Sequence, residues 1–201
     1  MNVIWLQKPI CAETVAVGAL DAPWGRMFTV WHGDALSRLR FVDGDARLCR
    51  EIASVRGAWG CDPSWLEPSD RRLERLGALL DQWPHSDDLR APTLEMIGSG
   101  FQHSVWRILL RLRSGQTMTY GDIAERLGKP GAARAVGRAV GANPVSVLVP
   151  CHRVLPATGG TGHYAGGPER KKALLHIEGG VNSVPAKRGA AAGVFPHKAY
   201  G

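Results

Sequence analysis

In the first part of the chain, apolar residues alternate with polar ones or run in short blocks between Gly, Pro and Asp. That pattern predicts strands. Thr14–Leu20 and Met27–Trp31 are two of them, with Pro23, Trp24 and Gly25 as the turn between. Arg38–Val42 is a third and ends at Asp43-Gly44. Leu73, Leu76, Leu79 and Leu80 fall at helical spacing behind Ser69, the expected N-cap. Residues Trp83–Gly100 hold two Pro, two Gly and several polar side chains, and they read as a connector. The tryptophans from Trp5 to Trp65 read as core or edge packing. His32 and His85 read as isolated side chains rather than ligands.

The period then changes. Phe101, Val105, Ile108, Leu109 and Leu112 form a helical stripe, with Arg107, Arg111 and Arg113 off it. A turn at Ser114-Gly115 follows. Asp122–Leu127 predicts a short helix with Ile123, Ala124 and Leu127 inward, closed by Gly128. Lys129-Pro130-Gly131 is a tight turn, Ala132–Ala142 a second helix, and Asn143-Pro144 its stop. Helix, Gly-containing turn, helix is the outline of a helix-turn-helix, shared by any helical hairpin. Val145–Val149 is a short apolar run of strand type. The segment from Pro185 to Gly201 is rich in Ala, Gly and Lys and is expected to be a loose tail.

The chain has 201 residues, of which 44% are hydrophobic and 21% charged, a globular balance sufficient for one or two domains. No apolar run is long enough to span a bilayer, and the start has no basic segment leading into a continuous apolar one. A cytoplasmic or nucleoid protein is expected, with no membrane partner. The net charge of +7 is unevenly spread. Residues 1–100 carry 11 Lys and Arg against 14 Asp and Glu, and residues 101–201 carry 14 against 4. A basic second half fits either a polyanion partner, nucleic acid first, or a solubilising surface.

The second helix of the pair reads Ala-Ala-Arg-Ala-Val-Gly-Arg-Ala-Val-Gly-Ala. Major-groove helices carry long polar readers. A helix of Ala and Gly instead suits close approach, either to a shallow surface such as the minor groove or to a packed protein core. Each internal Gly costs about 1 kcal/mol relative to Ala, so something must come close.

Cysteines stand at 11, 49, 61 and 151, with no CxxC pair and no common zinc spacing. A disulfide framework is not expected without export. Cys151 and His152 are adjacent after the apolar run, as if a thiol were held by rigid backbone. A free thiol is only about 3% thiolate at pH 7, so a nearby base oriented by an acid would raise its reactivity. The second half offers Asp122, Glu125, Glu169 and Glu178 as that acid, and Glu178 lies in the most apolar surroundings. By spacing alone, a buried inert cysteine is the plainer reading of the dipeptide.

Pro-Cys-His-Arg-Val, preceded by Ala-Arg-Ala-Val-Gly and Asn-Pro and followed by Gly-His-Tyr-Ala-Gly-Gly and His-Ile-Glu-Gly, resembles the O6-alkylguanine-DNA alkyltransferases over about residues 99–180. The resemblance implies an RNase H-like α/β N-terminal domain with its connector over 1–98. It also implies a mainly helical alkyltransferase and DNA-binding domain with a helix-turn-helix over 99–184, and leaves 185–201 as tail. By the same resemblance Cys151 is the alkyl acceptor, His152 its base through a water, and Glu178 the group that orients the imidazole. Asn143 pins the turn, and Tyr120 donates to the guanine ring nitrogen N3. Tyr164 and the loop 162–167 wall the pocket, with backbone at Val154 and Ala165 reading the base. Some relatives carry Ser at the position of Ala165. Arg134 fills the space of the flipped guanine. Ala133, Ala135 and Gly137 form the minor-groove face, and Arg138, Arg170, Lys171 and Lys172 are candidate phosphate contacts.

The implied partner is duplex DNA carrying O6-alkylguanine, with O4-alkylthymine left open. The protein would work as a monomer with no obligate protein partner, with no cofactor, and once per molecule. No metal is expected, because Cys11, Cys49, Cys61, His32 and His85 make no convincing ligand set. Three other readings fit less well. A non-catalytic alkyltransferase-like protein would lack Cys151. A methyl-responsive regulator would carry a four-cysteine zinc domain. A thiol hydrolase would need an oxyanion hole and would turn over.

Overall fold

The computed structural model describes residues 1–9, 15–84 and 91–179. Thr14, Cys11, His85 and the tail from Pro185 lie outside them. The first part is a six-stranded mixed sheet with two helices. Its strands are β1 (Val3–Leu6), β2 (Val15–Ala22), β3 (Gly25–His32), β4 (Ala35–Phe41), β5 (Ser64–Trp65) and β6 (Leu94–Ile97), in the order β1-β6-β4-β3-β2-β5. β2, β3 and β4 form an antiparallel meander, while β5 joins β2, and β6 joins β1 and β4, in parallel.

The helices are α1 (Asp45–Trp59) and α2 (Arg71–Asp81). α2 buries Leu73, Leu76, Leu79 and Leu80, as the spacing predicts. Each side chain contributes about 1.5–3 kcal/mol. Its N-cap is Asp70 rather than Ser69, because the carboxylate both accepts from Arg72 N at 2.9 Å and holds the Arg72 guanidinium. α1 was not expected. Only Val55 and Trp59 of its fifteen residues are buried, too few to mark a stripe.

The expected connector contains β6, buried at the join between β1 and β4. Its polar signature comes from Glu95, which is 2% exposed. Glu95 accepts from Ser37 Oγ at 3.5 Å and faces His32 Nδ1 at 2.8 Å. A buried carboxylate with partners is tolerable in a strand, and it hid this one. His32 is thus a satisfied side chain, as expected.

The second part holds α3 (Gly100–Leu109), β7 (Met118–Thr119), α4 (Tyr120–Arg126), α5 (Ala133–Gly141), β8 (Val154–Leu155) and α6 (Pro168–Ile177). α3 opens with a capping box between Ser99 and Gln102. α4 begins two residues before the expected Asp122, because Thr119 caps it and Asp122 reaches back to the Thr119 N–H at 2.8 Å. α5 packs on both α3 and α4, and Trp106 of α3 donates from its indole nitrogen to Ala139 O at 2.8 Å.

Val145–Val149 is not a strand. Val145 makes a single parallel bridge to Leu39 of β4, and the chain then turns. Asn143 causes the departure by capturing, with its own side chain, backbone groups that a strand would offer to a neighbour. Among the described residues no helix is long and apolar enough to cross a membrane.

Candidate active site

Two features place the nucleophile. The first is Asn143. Its Nδ2 donates to Val145 O at 3.2 Å, to Val149 O at 2.9 Å and to Cys151 Sγ at 3.1 Å, and its Oδ1 accepts from Val145 N at 3.1 Å. The second is a pair of γ-turns. Leu148 N donates to Ser146 O at 2.9 Å around Val147, whose φ is +70°. This is the rare strained form, and a β-branched residue there is a genuine outlier. Cys151 N donates to Val149 O at 2.7 Å around Pro150, with φ −80° and ψ 63°, the relaxed inverse form. Val147 is 1% exposed, so the core holds its side chain while the backbone bends around it.

The turn is backed by the N-terminal sheet. Leu39 N donates to Pro144 O at 3.0 Å, and Ser146 N donates to Leu39 O at 2.8 Å. Cys151–Arg153 then form one turn of 3-10 helix rather than the end of a strand. At three residues per turn, neighbouring side chains diverge by about 120° instead of lying on opposite faces.

His152 is fully buried, and its Nε2 lies 3.2 Å from Glu178 Oε1. Its Nδ1 has no protein hydrogen-bond partner among the described residues. Glu178 is the C-cap of α6. It also accepts from Arg153 Nε at 2.9 and 3.0 Å and from Arg153 NH2, while Arg153 NH1 donates to Leu112 O. Burial pushes the Glu178 carboxyl up, but hydrogen bonds from His152 and Arg153 outweigh it and leave the group below its ordinary value. Burial pushes the imidazole down, more than Glu178 lifts it, so His152 is neutral and can accept a proton.

Cys151 is only 6% exposed. Burial pushes its thiol up, against the Asn143 hydrogen bond and the Lys171 charge. The resting thiol therefore keeps its proton until a base removes it.

The parallel pairing of β7 with β8, Met118 opposite Val154, carries Tyr120 to this turn, since Tyr120 follows β7 directly. The Tyr120 ring packs on Gly137 of α5, where an added Cβ would sit 3.8 Å from it. Its hydroxyl faces Gly162. Burial, then the neighbouring Cys151, raises the Tyr120 phenol, so it stays a donor. Tyr164 stands edge-on to His152 at 6.5 Å and to Phe41 at 6.4 Å. Ala165 is exposed and Val154 buried.

The small residues of α5 serve a packed face, and the helix leaves another face open. Val136, Ala139 and Val140 are buried, whereas Arg134, Arg138 and Gly141 are exposed, with Ala133, Ala135 and Gly137 half-buried. Two expectations about basic residues are corrected. Lys171 is 1% exposed, donates to Val154 O at 2.6 Å, and is lowered by burial to about 8, so it cannot reach a phosphate. Arg170 is committed to the N-terminal part through Asp43 and Trp24 O. Lys172 is exposed and pairs with Glu169 at 2.9 Å.

Sequence reasoning missed Trp83, whose ring lies 5.6 Å from His152. A tryptophan in a stretch that reads as a connector was the available signal. It also missed Arg153 as the partner of Glu178, although Arg153 stands next to His152 in the motif.

A thiol whose sequence neighbour is an imidazole that a carboxylate holds in place is the residue set of a cysteine nucleophile. The family model described as "6-O-methylguanine DNA methyltransferase, DNA binding domain" matches residues 100–180. A methylated-DNA–protein-cysteine methyltransferase of Mycobacterium tuberculosis is 37% identical over 159 residues, covering 79% of this chain and 89% of that protein. The crystal structure of the M. tuberculosis O6-methylguanine methyltransferase is similar, with a TM-score of 0.67, 33% identity, and coverage of 85% of this chain and 96% of that one. A crystal structure of M. tuberculosis OGT in complex with DNA gives 0.62 and 36%, over 82% and 92% of the two chains. The chain belongs to the methylated-DNA–protein-cysteine methyltransferase family.

Proposed function

We propose that this protein repairs alkylated DNA directly, by moving the alkyl group of O6-alkylguanine irreversibly onto its own Cys151. The observation that carries the reading is two hydrogen-bonded pairs, Asn143 with the Cys151 thiol and His152 with Glu178, carried on one turn of 3-10 helix next to Tyr120 and α5. The Cys151 proton passes through a water to Nδ1 of His152, the ring nitrogen with no protein partner. Sγ attacks the alkyl carbon in line, the S–C bond forms as the C–O6 bond breaks, and the electron pair leaves on the guanine. Tyr120, kept protonated, donates to N3 of the departing base. Glu178 supports the imidazolium, as in other Cys-His-acid sites. A thioether has no route back to thiol in this site, so each molecule acts once. Cys151 also favours this catalytic reading over that of a lesion-binding relative without transfer.

The target base must leave the duplex stack. The α4–α5 pair is read as a helix-turn-helix that enters the minor groove, with Ala133, Ala135 and Gly137 as its close-approach face, Arg134 in the vacated space and Arg138 at the backbone. Tyr164, Val154 and Ala165 line the base pocket. The six-stranded sheet, with a meander followed by a parallel strand beside its first member, supports the RNase H-like reading. The division is placed at residues 98 and 99, the latter being the N-cap of α3. A monomer working on duplex DNA in the cytoplasm, with no obligate protein partner, completes the reading.

Intact mass after mixing with an O6-methylguanine duplex tests it. One added methylene, about 14 Da, mapped to Cys151 and saturating at one equivalent is expected. Catalytic turnover, or no adduct, would sink the reading. Arg134→Ala is expected to slow repair in duplex about tenfold or more, since extrusion costs a few kcal/mol, while reaction with free O6-benzylguanine stays unchanged. Equal losses on both would remove the flipping role.

A further inference from the structure

We propose that Arg170 is a positioning residue that fixes the substrate loop 162–167 against the N-terminal sheet, so that the sheet takes part in alkyl transfer. The inference rests on the function proposed above and assigns it a residue outside the pocket.

Consecutive residues of α6 point about 100° apart. Lys171 turns inward to Val154 O beside the thiol, and Arg170 turns to the N-terminal part. There its guanidinium is held from several sides. Nε donates to Trp24 O at 2.8 Å, in the turn between β2 and β3. NH1 and NH2 donate to the two Asp43 carboxylate oxygens at 2.9 and 2.6 Å, the planar fork that Arg makes and Lys does not. The fork lies 4.7 Å over the Phe41 ring. NH1 also donates to Gly166 O at 3.1 Å, and this bond joins the loop to the latch.

Two glycines show how tightly the parts close. A Cβ at Gly25 would lie 2.7 Å from Arg170 NH2, and φ there is +123°, which disfavours any side chain. A Cβ at Gly166 would lie 2.5 Å from the Phe41 ring and 2.7 Å from the Tyr164 ring. The loop backbone therefore presses directly on β4, and Tyr164 is wedged between Phe41 and His152. Arg47 adds an outer tie, donating to Ala165 O at 3.3 Å. An exposed ion pair alone would be worth little. Here two backbone carbonyls and an aromatic face share the same guanidinium, and the hydrogen bonds from Arg170 hold the Asp43 carboxyl below its ordinary value.

Single-turnover transfer from a saturating O6-methylguanine duplex, measured beside the salt dependence of duplex binding, tests the assignment. Arg170→Ala is expected to cut the transfer rate about tenfold or more, as misplacement near a reacting centre does. It should leave the slope of log affinity against log salt unchanged. Arg170→Lys should recover little. Asp43→Asn, a change at an exposed carboxylate that spares the fold, should slow transfer in the same direction, and the double variant should be no slower than Arg170→Ala alone. A rate equal to wild type at saturation would overturn the proposal. With a slope smaller by about one, it would make Arg170 a phosphate contact. With only a lower melting temperature, it would make Arg170 structural. Wild type forming no adduct would overturn the underlying function as well, so the two failures are distinguishable.

Discussion

Cys151→Ala is expected to take up no alkyl group while still binding duplex and folding. The change removes the sulfur and one hydrogen bond from Asn143 but leaves Asn143 tied to Val145 and Val149, so the turn keeps its shape. No described thiol can substitute. Cys49 is exposed on α1 and Cys61 lies just beyond that helix, each outside the His152 and Glu178 cluster. Rate loss should be total rather than graded, because the residue is the acceptor and not an accelerator. Intact mass against a labelled duplex, with filter binding on the same sample, checks both halves. Residual labelling of the variant would move the acceptor elsewhere.

Arg153→Ala is expected to cost on the order of 3–5 kcal/mol, because it leaves a buried carboxylate short of its main partner. Glu178 has no exposed side-chain surface, and Arg153 satisfies both of its oxygens. Without the guanidinium, the Glu178 charge acts on His152 alone and draws it toward the imidazolium, which cannot accept the thiol proton. Transfer near neutral pH should fall together with stability. Arg153→Met combined with Glu178→Gln should regain part of the stability, because neither member is then a lone buried charge. Urea denaturation of the two variants decides it. Acid adds a second check. Glu178 is depressed from 4.5, so its contribution is complete above that pH and is lost as pH falls through the lower folded value. Glu178→Gln should flatten that part of the profile. An unaltered midpoint for Arg153→Ala would refute the account.

The chemistry was more legible than the scaffold. Cys151, His152 and Glu178 stood out by residue type, but their roles and Asn143 came from the family resemblance; the structure pairs Asn143 with Cys151 and His152 with Glu178. The strands β2, β3 and β4 were legible because short apolar runs or alternating stretches are cut by plain turn residues, Pro23-Trp24-Gly25 and Asp43-Gly44. β6 was not, because Glu95 is buried with partners that a linear reading cannot supply. α1 was not, because two buried residues leave no period. The turn at 145–149 was misjudged because apolar β-branched residues normally extend. The side chain of Asn143, acting on residues up to eight positions away, and two γ-turns bend them. Arg170 and Lys171 read as candidate phosphate contacts. Their partners are Asp43, Trp24 and Val154, distant in sequence or reached through burial, which a count of basic residues does not register.

The segment 143–151 also has a bearing on tolerance of inserted or deleted residues. Apart from two bonds to Leu39, its backbone bonds are local, and one amide fastens both its middle and its terminal sulfur. Lengthening or shortening it by one residue would swing Sγ out of line with the imidazole, and no neighbouring slack could absorb the change. The stretch 157–161 carries no comparable fastening and lies largely at the surface. Drift in chain length, or a reporter peptide added by design, therefore has its natural place there.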